Sequence, residues 1–203
     1  LIPNLHQRKY KEIMPRLLSF VVTYFLLVFF LYAKASFANG LWWQELLSER
    51  PLSEVKQVIK QSGEWYECDT REQVAVMCLD EFHYYNASLY GELTSNNQSM
   101  TLSFLTGYEA QTLSGFILNL RKDGFVMSAI EIGNEHYDVR KALQQKSPEQ
   151  VDRDVILLIN QYFQDTPRKL DWVKAEEFEA STPKVKARLL SDGEMLELTV
   201  TRF

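Results

Sequence analysis

The chain has 203 residues, 46% of them apolar, and carries 27 acidic against 22 basic side chains for a net charge of −5. That length suits one domain, or two small repeats that share a core. The acidic balance argues against nucleic acid and anionic membrane surfaces as partners, and fits a soluble protein or one whose partner is basic.

Met14 to Ala38 sets the destination of the whole chain. A short basic start, Met14-Pro15-Arg16, precedes an apolar run from Leu17 to Ala33, and small residues stand at Ser36 and Ala38. This is the pattern of a secretory signal peptide cleaved after Ala38, with Ala33-Lys34-Ala35 as second choice. No cysteine stands at the end of the run to take a lipoprotein anchor. The alternative is an uncleaved membrane anchor, for which the run is short against the about 20 apolar residues of a spanning helix. Residues 1–13 are polar and basic and precede a good start at Met14. They read as an over-extended gene start, or as a long basic segment held on the cytoplasmic side. Cleavage leaves 39–203 as a single α+β domain with 17 basic and 26 acidic side chains, a net charge of −9. Its expected location is periplasmic or secreted, with a membrane as partner only if the leader stays.

Both cysteines, Cys68 and Cys78, fall in that product, and two cysteines in an exported chain read as one disulfide. The expected strands Trp65–Asp69 and Val74–Cys78 flank a polar turn at 70–73. Antiparallel pairing about it sets the two cysteines opposite each other, so a bridge pins the register.

In chain order, Trp42-Trp43 opens the product, and one tryptophan is expected in the core while the other faces out. A helix is expected from Pro51 to Gln61, with Val55, Val58 and Ile59 on one face and Gly63 as its stop. An aromatic strand is expected from Phe82 through Tyr84-Tyr85 to Leu93, then a turn at 95–98 and a strand through Met100, Leu102 and Phe104. Phe116, Leu118 and Leu120 alternate as a further strand, Asp123-Gly124 reads as its hairpin turn, and Val126, Ile130 and Ile132 return. Residues 134–146 are polar with a short helix. Ser147-Pro148-Glu149-Gln150 is a capping box ahead of Val151, Val155 and Leu158 at helical spacing. Strands at 170–173, 185–189 and 196–200 close the chain, the last two joined by Asp192-Gly193. The fold class expected is an antiparallel β-sheet meander with two or three helices packed on one face.

Ser95 to Phe104 resembles Ser191 to Val200 at an offset of 96 residues, and the same offset carries Val55 and Ile59 onto Val151 and Val155. Two repeats of helix plus meander, 41–132 and 134–203, are one reading. Shared alternation of amphipathic elements is the other. The helix Ser53–Gly63, the strand start Trp65-Tyr66 and the run Thr101–Phe104 are similar to the repeat of the BamE-like and β-lactamase-inhibitor-protein-like group of exported α+β domains. The first half departs from that pattern by its cysteine pair and extra strands. The resemblance implies a protein-binding scaffold and carries over no functional residue.

No Gly-rich phosphate loop, Gly-x-Ser-x-Gly elbow or His-Glu-x-x-His occurs. His83, beside Asp80 and Glu81, and His136, beside Glu135, invite an acid–base pair or a metal site, but neither has a second ligand at strand or helix spacing. No cofactor, metal or catalytic residue is assigned. The aromatic residues are more informative. Trp65, Tyr66, Tyr84, Tyr85 and Tyr90 are too many for one face of a strand pair. Alternation sends Tyr84 and Tyr85 to opposite faces, one into the core and one into a binding surface. The expectation is an exported protein-binding module, an inhibitor or envelope accessory, whose partner is another exported or envelope protein. The alternative is a small apolar ligand held in a cup between sheet and helices; an enzyme comes third.

Overall fold

A computed structural model of the chain describes residues 41–71 and 74–203. The leader, its cleavage site and residues 1–13 lie outside the described residues.

Helix α1 (Leu41–Leu47) and helix α2 (Leu52–Ser62) lead into four meandering strands. These are β1 (Tyr66–Arg71), β2 (Val74–Tyr84), β3 (Ala87–Ser95) and β4 (Met100–Gly107). Helix α3 (Ala110–Lys122), strands β5 (Phe125–Ile132) and β6 (Glu135–Asp138), and helices α4 (Val139–Leu143) and α5 (Pro148–Gln161) come next. Strand β7 (Arg168–Lys174), a short 3₁₀ turn, and strands β8 (Val185–Ser191) and β9 (Met195–Arg202) end the chain. The fold is α+β, as expected. Among the described residues nine strands form one antiparallel sheet in the order β1-β2-β3-β4-β9-β8-β7-β5-β6.

Alternation decides the layering. Leu89, Leu93, Leu102, Phe104, Leu198, Leu189 and Leu170 point to one face, where they merge with buried residues of the five described helices into a single core. The opposite face carries no helix among the described residues. Local signals place the helices. Gly63, at φ +71, ends α2 in the left-handed region. Ser147 and Gln150 close their capping box at the start of α5. Two buried arginines finish the helix C-termini: Arg202 donates to the carbonyls of Glu45, Leu46 and Arg50, and Arg168 to those of Tyr162, Phe163, Gln164 and Thr166. Each satisfies carbonyls that a helix end leaves without a partner.

Four local expectations change. Residues 110–122 are helical, so Phe116-Leu118-Leu120 is no strand. Leu113, Phe116 and Leu120 are buried at helical spacing, while Leu118 faces solvent, and Asp123-Gly124 turns a helix into a strand rather than joining two strands. The aromatic strand is split in two: β2 runs to Tyr84, and Tyr85, at φ +55, forms the turn into β3. Trp42 and Trp43 are both buried, at 0% and 2% exposure, because both indoles pack against Phe82 and Phe104, and Trp42 against Trp65 as well. Finally, Cys68 and Cys78 are bridged across 5.8 Å between Cα atoms, but Cys78 pairs with Tyr66, and Cys68 is the extra residue of a bulge between Glu67 and Asp69. The bulge interrupts the ladder of this edge strand.

A shift of 96 residues carries α2 onto the start of α5 and the hairpin β3–β4 onto β8–β9. Strands β4 and β9 pair at the centre of the sheet, where Ser103 lies directly opposite Thr199, its own counterpart at that offset. Strand β5 sits beside β7 where β1 sits beside β2.

Reduction of the Cys68–Cys78 bridge is expected to lower unfolding free energy by about 2–3 kcal/mol, the loop entropy of a ten-residue separation. Denaturant titration with and without reductant measures it. Two reactive thiols in unfolded, unreduced protein would rule the bridge out.

Candidate functional site

Of the five aromatics singled out from the sequence, the structure brings together two on the open face and sends three inward. Trp65 and Tyr84 are core residues. Tyr85 is half-buried, and because its turn conformation breaks the strand alternation it lies on the same side as Tyr84 rather than opposite to it. Both phenols donate to one carboxylate, Asp123, at 2.7 and 2.8 Å, and Trp43 Nε1 donates to it at 3.3 Å. Burial, then the charge of Asp123, pushes the Tyr84 hydroxyl far above its usual range; burial and the bond to Asp123 push Tyr85 up to about 12. This cluster is structural: its carboxylate is occupied by donors and faces the core.

Tyr66 and Tyr90 remain outside, at 47% and 36% exposure. Tyr66 donates to Asp80, which raises its pKa, and Tyr90 donates to Cys78 Sγ at 2.9 Å. The disulfide thus lies beneath the aromatic end of the open face. One row of directly paired residues crosses from there: Tyr66, Cys78, Glu92, Ser103, Thr199, Arg188, Asp171, Ala129 and Asp138.

The row has three zones. At the aromatic end, Arg71 pairs with Glu92 at 2.9 Å and with Asp69 at 3.1 Å, and Asp80 accepts from Tyr66. The centre is a hydroxyl seam, with Thr101 against Thr201 at 3.3 Å and Ser103 against Thr199 at 3.4 Å. The far end is a ladder of ion pairs: Glu131 to Lys169 at 3.0 Å, Lys169 to Asp171 at 3.8 Å, and Asp171 to Arg188 at 2.6 Å. His136 joins it through Glu131 at 3.5 Å, whereas His83 lies outside the ladder, beside Glu81 at 3.5 Å. A trough of about 680 Å³ runs over this end, lined by Lys186, Arg188, Thr199 and Arg140, among others. Glu92 and Arg188 stand 96 residues apart, so the face carries an acid on one side of its centre and a base at the counterpart position. Sequence reading missed the ladder, whose signal is the charged outward positions of β7 and β8.

Among the described residues no three His, Cys, Asp or Glu side chains come together as a metal site, and no helix is long and apolar enough to cross a membrane. Comparison with protein-family models, curated proteins and solved structures finds no match.

Replacing Tyr84 by alanine is expected to cost about 3–5 kcal/mol as a core aromatic. Tyr85→Ala should cost about 1–3 kcal/mol through the loss of its hydrogen bond to Asp123. Chemical denaturation of the two variants separates these from the near-neutral result of an outward residue.

Stability should also fall at both ends of the pH scale. Hydrogen bonds from Lys169 depress Glu131, those from Lys146 and Tyr137 depress Asp154, and backbone N–H groups depress Asp192. A depressed carboxylate contributes stability above its unfolded pKa and loses it as pH falls through the folded one. The melting temperature is therefore expected to decline only modestly below the usual values of 4.5 for glutamate and 3.8 for aspartate, because these groups are exposed and screened, with a slightly smaller decline in Glu131→Gln. Tyr84 acts oppositely: its raised pKa gives stability below 10.0, the usual tyrosine value, that is lost as pH rises further. Calorimetry across roughly pH 2–11 checks both limbs.

Proposed function

We propose that this chain is an exported, non-enzymatic protein-binding module, and that the uncovered face of its sheet seats another exported or envelope protein. One observation carries the reading: a broad nine-stranded face stays open while every described helix packs on the other side. That face presents two tyrosines set by a disulfide beside a fixed pattern of charges. Exposed tyrosine on rigid strands offers large contact area at little entropic cost. Ion pairs exposed as these are contribute little to stability, but they select a partner by complementarity. The aromatic end, with Asp80 and Glu92, suits a neutral or basic patch on that partner. The disulfide fits an oxidising compartment outside the cytoplasm. The protein-binding scaffold implied by the sequence resemblance points the same way.

Site-specific photocrosslinking in the native host tests it. Benzoylphenylalanine is placed at Tyr90 or Thr199 on the open face, and at Ser114 on α3 as control. The expected result is one common adduct from the two face positions and none from Ser114. Absence of an adduct from the face, or equal adducts from all three, would sink the proposal.

A further inference from the structure

The helix layer holds a second feature that the open face does not explain. Between α3, β5, α4 and α5 lies a groove of about 480 Å³, floored by Phe125 and Met127 and walled by Val139, Val151, Val155 and Phe178. Its size falls within the range of small-molecule sites, about 300–1,000 Å³. Its charged lining residues are Arg121 and Asp152, which meet at 3.1 Å with both side chains about half-exposed. Leu118, one turn before Arg121, and Ile156, one turn after Asp152, are each 55% exposed, so apolar surface continues from the lining onto the rim.

The first half of the chain shows why the space is there. The gap from α1 to α2 equals that from α4 to α5, and the 96-residue shift sets Val139 against Trp43 and Ala142 against Leu46. In the first half Trp43 and Leu46 are fully packed, and they fill the layer beneath their helix pair. The second half places a valine and an alanine there. The loss of volume leaves a groove lined by apolar atoms, with one cation at its mouth held by an exposed partner that an incoming carboxylate can displace.

We infer that this groove is a binding site for a single-chain amphiphile bearing a carboxylate, its tail along Val139, Val151 and Val155 and its head on Arg121. The site is separate from the open face and stands whether or not that face binds a protein.

The test titrates the full chain by calorimetry with dodecanoate, dodecanol and dodecyltrimethylammonium, each below its micelle concentration. Dodecanoate is expected to bind saturably at one site and more tightly than the other two. Asp152→Asn, which frees Arg121, should tighten dodecanoate by roughly two- to fivefold, and Arg121→Gln should weaken it by a similar factor, with dodecanol unchanged. Val139→Trp with Ala142→Leu, which copies the first half, should weaken dodecanoate by at least about tenfold while the circular dichroism stays native. Intermolecular NOEs from dodecanoate to the methyls of Val151 and Val155 decide the matter should the filled variant fail to fold. Four results overturn the inference: no saturable binding, undiminished binding to a folded filled variant, equal binding of all three amphiphiles, or NOEs confined to the exposed Leu118 and Leu157.

Discussion

The carboxylate of Asp123 is the constraint on which the rest of the core depends. It stands at the corner between α3 and β5 and accepts from Trp43 on α1 and from both tyrosines at the β2–β3 turn, while its own backbone carbonyl takes the Lys174 ammonium at 2.7 Å. Elements distant in sequence are thereby tied to one point. At the edge of an apolar core each such bond is electrostatically stronger than in water, and removal of the acceptor leaves several donors unsatisfied at once. The turn conformation of Tyr85 follows from this demand: only with its alternation broken does its hydroxyl reach the same carboxylate as that of Tyr84.

Around this anchor the molecule divides its two surfaces cleanly. Phe82, Phe104, Phe116 and the three tryptophans at 42, 43 and 65 fill the first half beneath the helices, with Trp42 and Trp65 edge to face at 5.2 Å. Gly91 is kept small by that crowding, since a Cβ there would come within 3.2 Å of both Phe104 and Trp65. At an offset of 96 residues the helix pair α4–α5 carries smaller side chains, with Val139 and Ala142 standing where α1 has Trp43 and Leu46. On the outer face positions 96 residues apart differ in charge, with Arg188 standing at the offset from Glu92 and Lys186 at the offset from Tyr90. The sheet therefore presents two different ends to whatever lies on it.

Much of this was legible in the sequence. The antiparallel sheet, α2 with its terminal glycine, the capped α5, the β8–β9 hairpin and the cysteine bridge all followed from local patterns that the tertiary structure did not override. The failures have physical causes. Phe116, Leu118 and Leu120 satisfy both a two-residue and a four-residue period, and only the burial of Leu113 and the exposure of Leu118 separate the two. Trp42 and Trp43 both turn inward because Phe82 and Phe104, from strands distant in sequence, pack on both indoles, and their indole N–H groups find Glu64 and Asp123 far along the chain. Tyr84 and Tyr85 misled for the same reason, since a long-range carboxylate, not strand alternation, sets their directions. The bulge at Cys68 left no local sign. Of the candidate binding residues, Tyr66 and Tyr90 reach the surface, because they alone occupy outward positions on straight parts of β1 and β3.

The central seam carries one further consequence. Strands β4 and β9 meet there, and Thr101 lies against Thr201, 100 residues later in the chain. Contacts that span so much sequence form late, because the intervening loop must be closed before they return any energy. The first half can collapse around its tryptophans early, but its strand β4 keeps an unpaired edge until β9 arrives. Completion of the sheet therefore waits on the last strand, and a chain held back from that step stays open at its middle rather than at its rim.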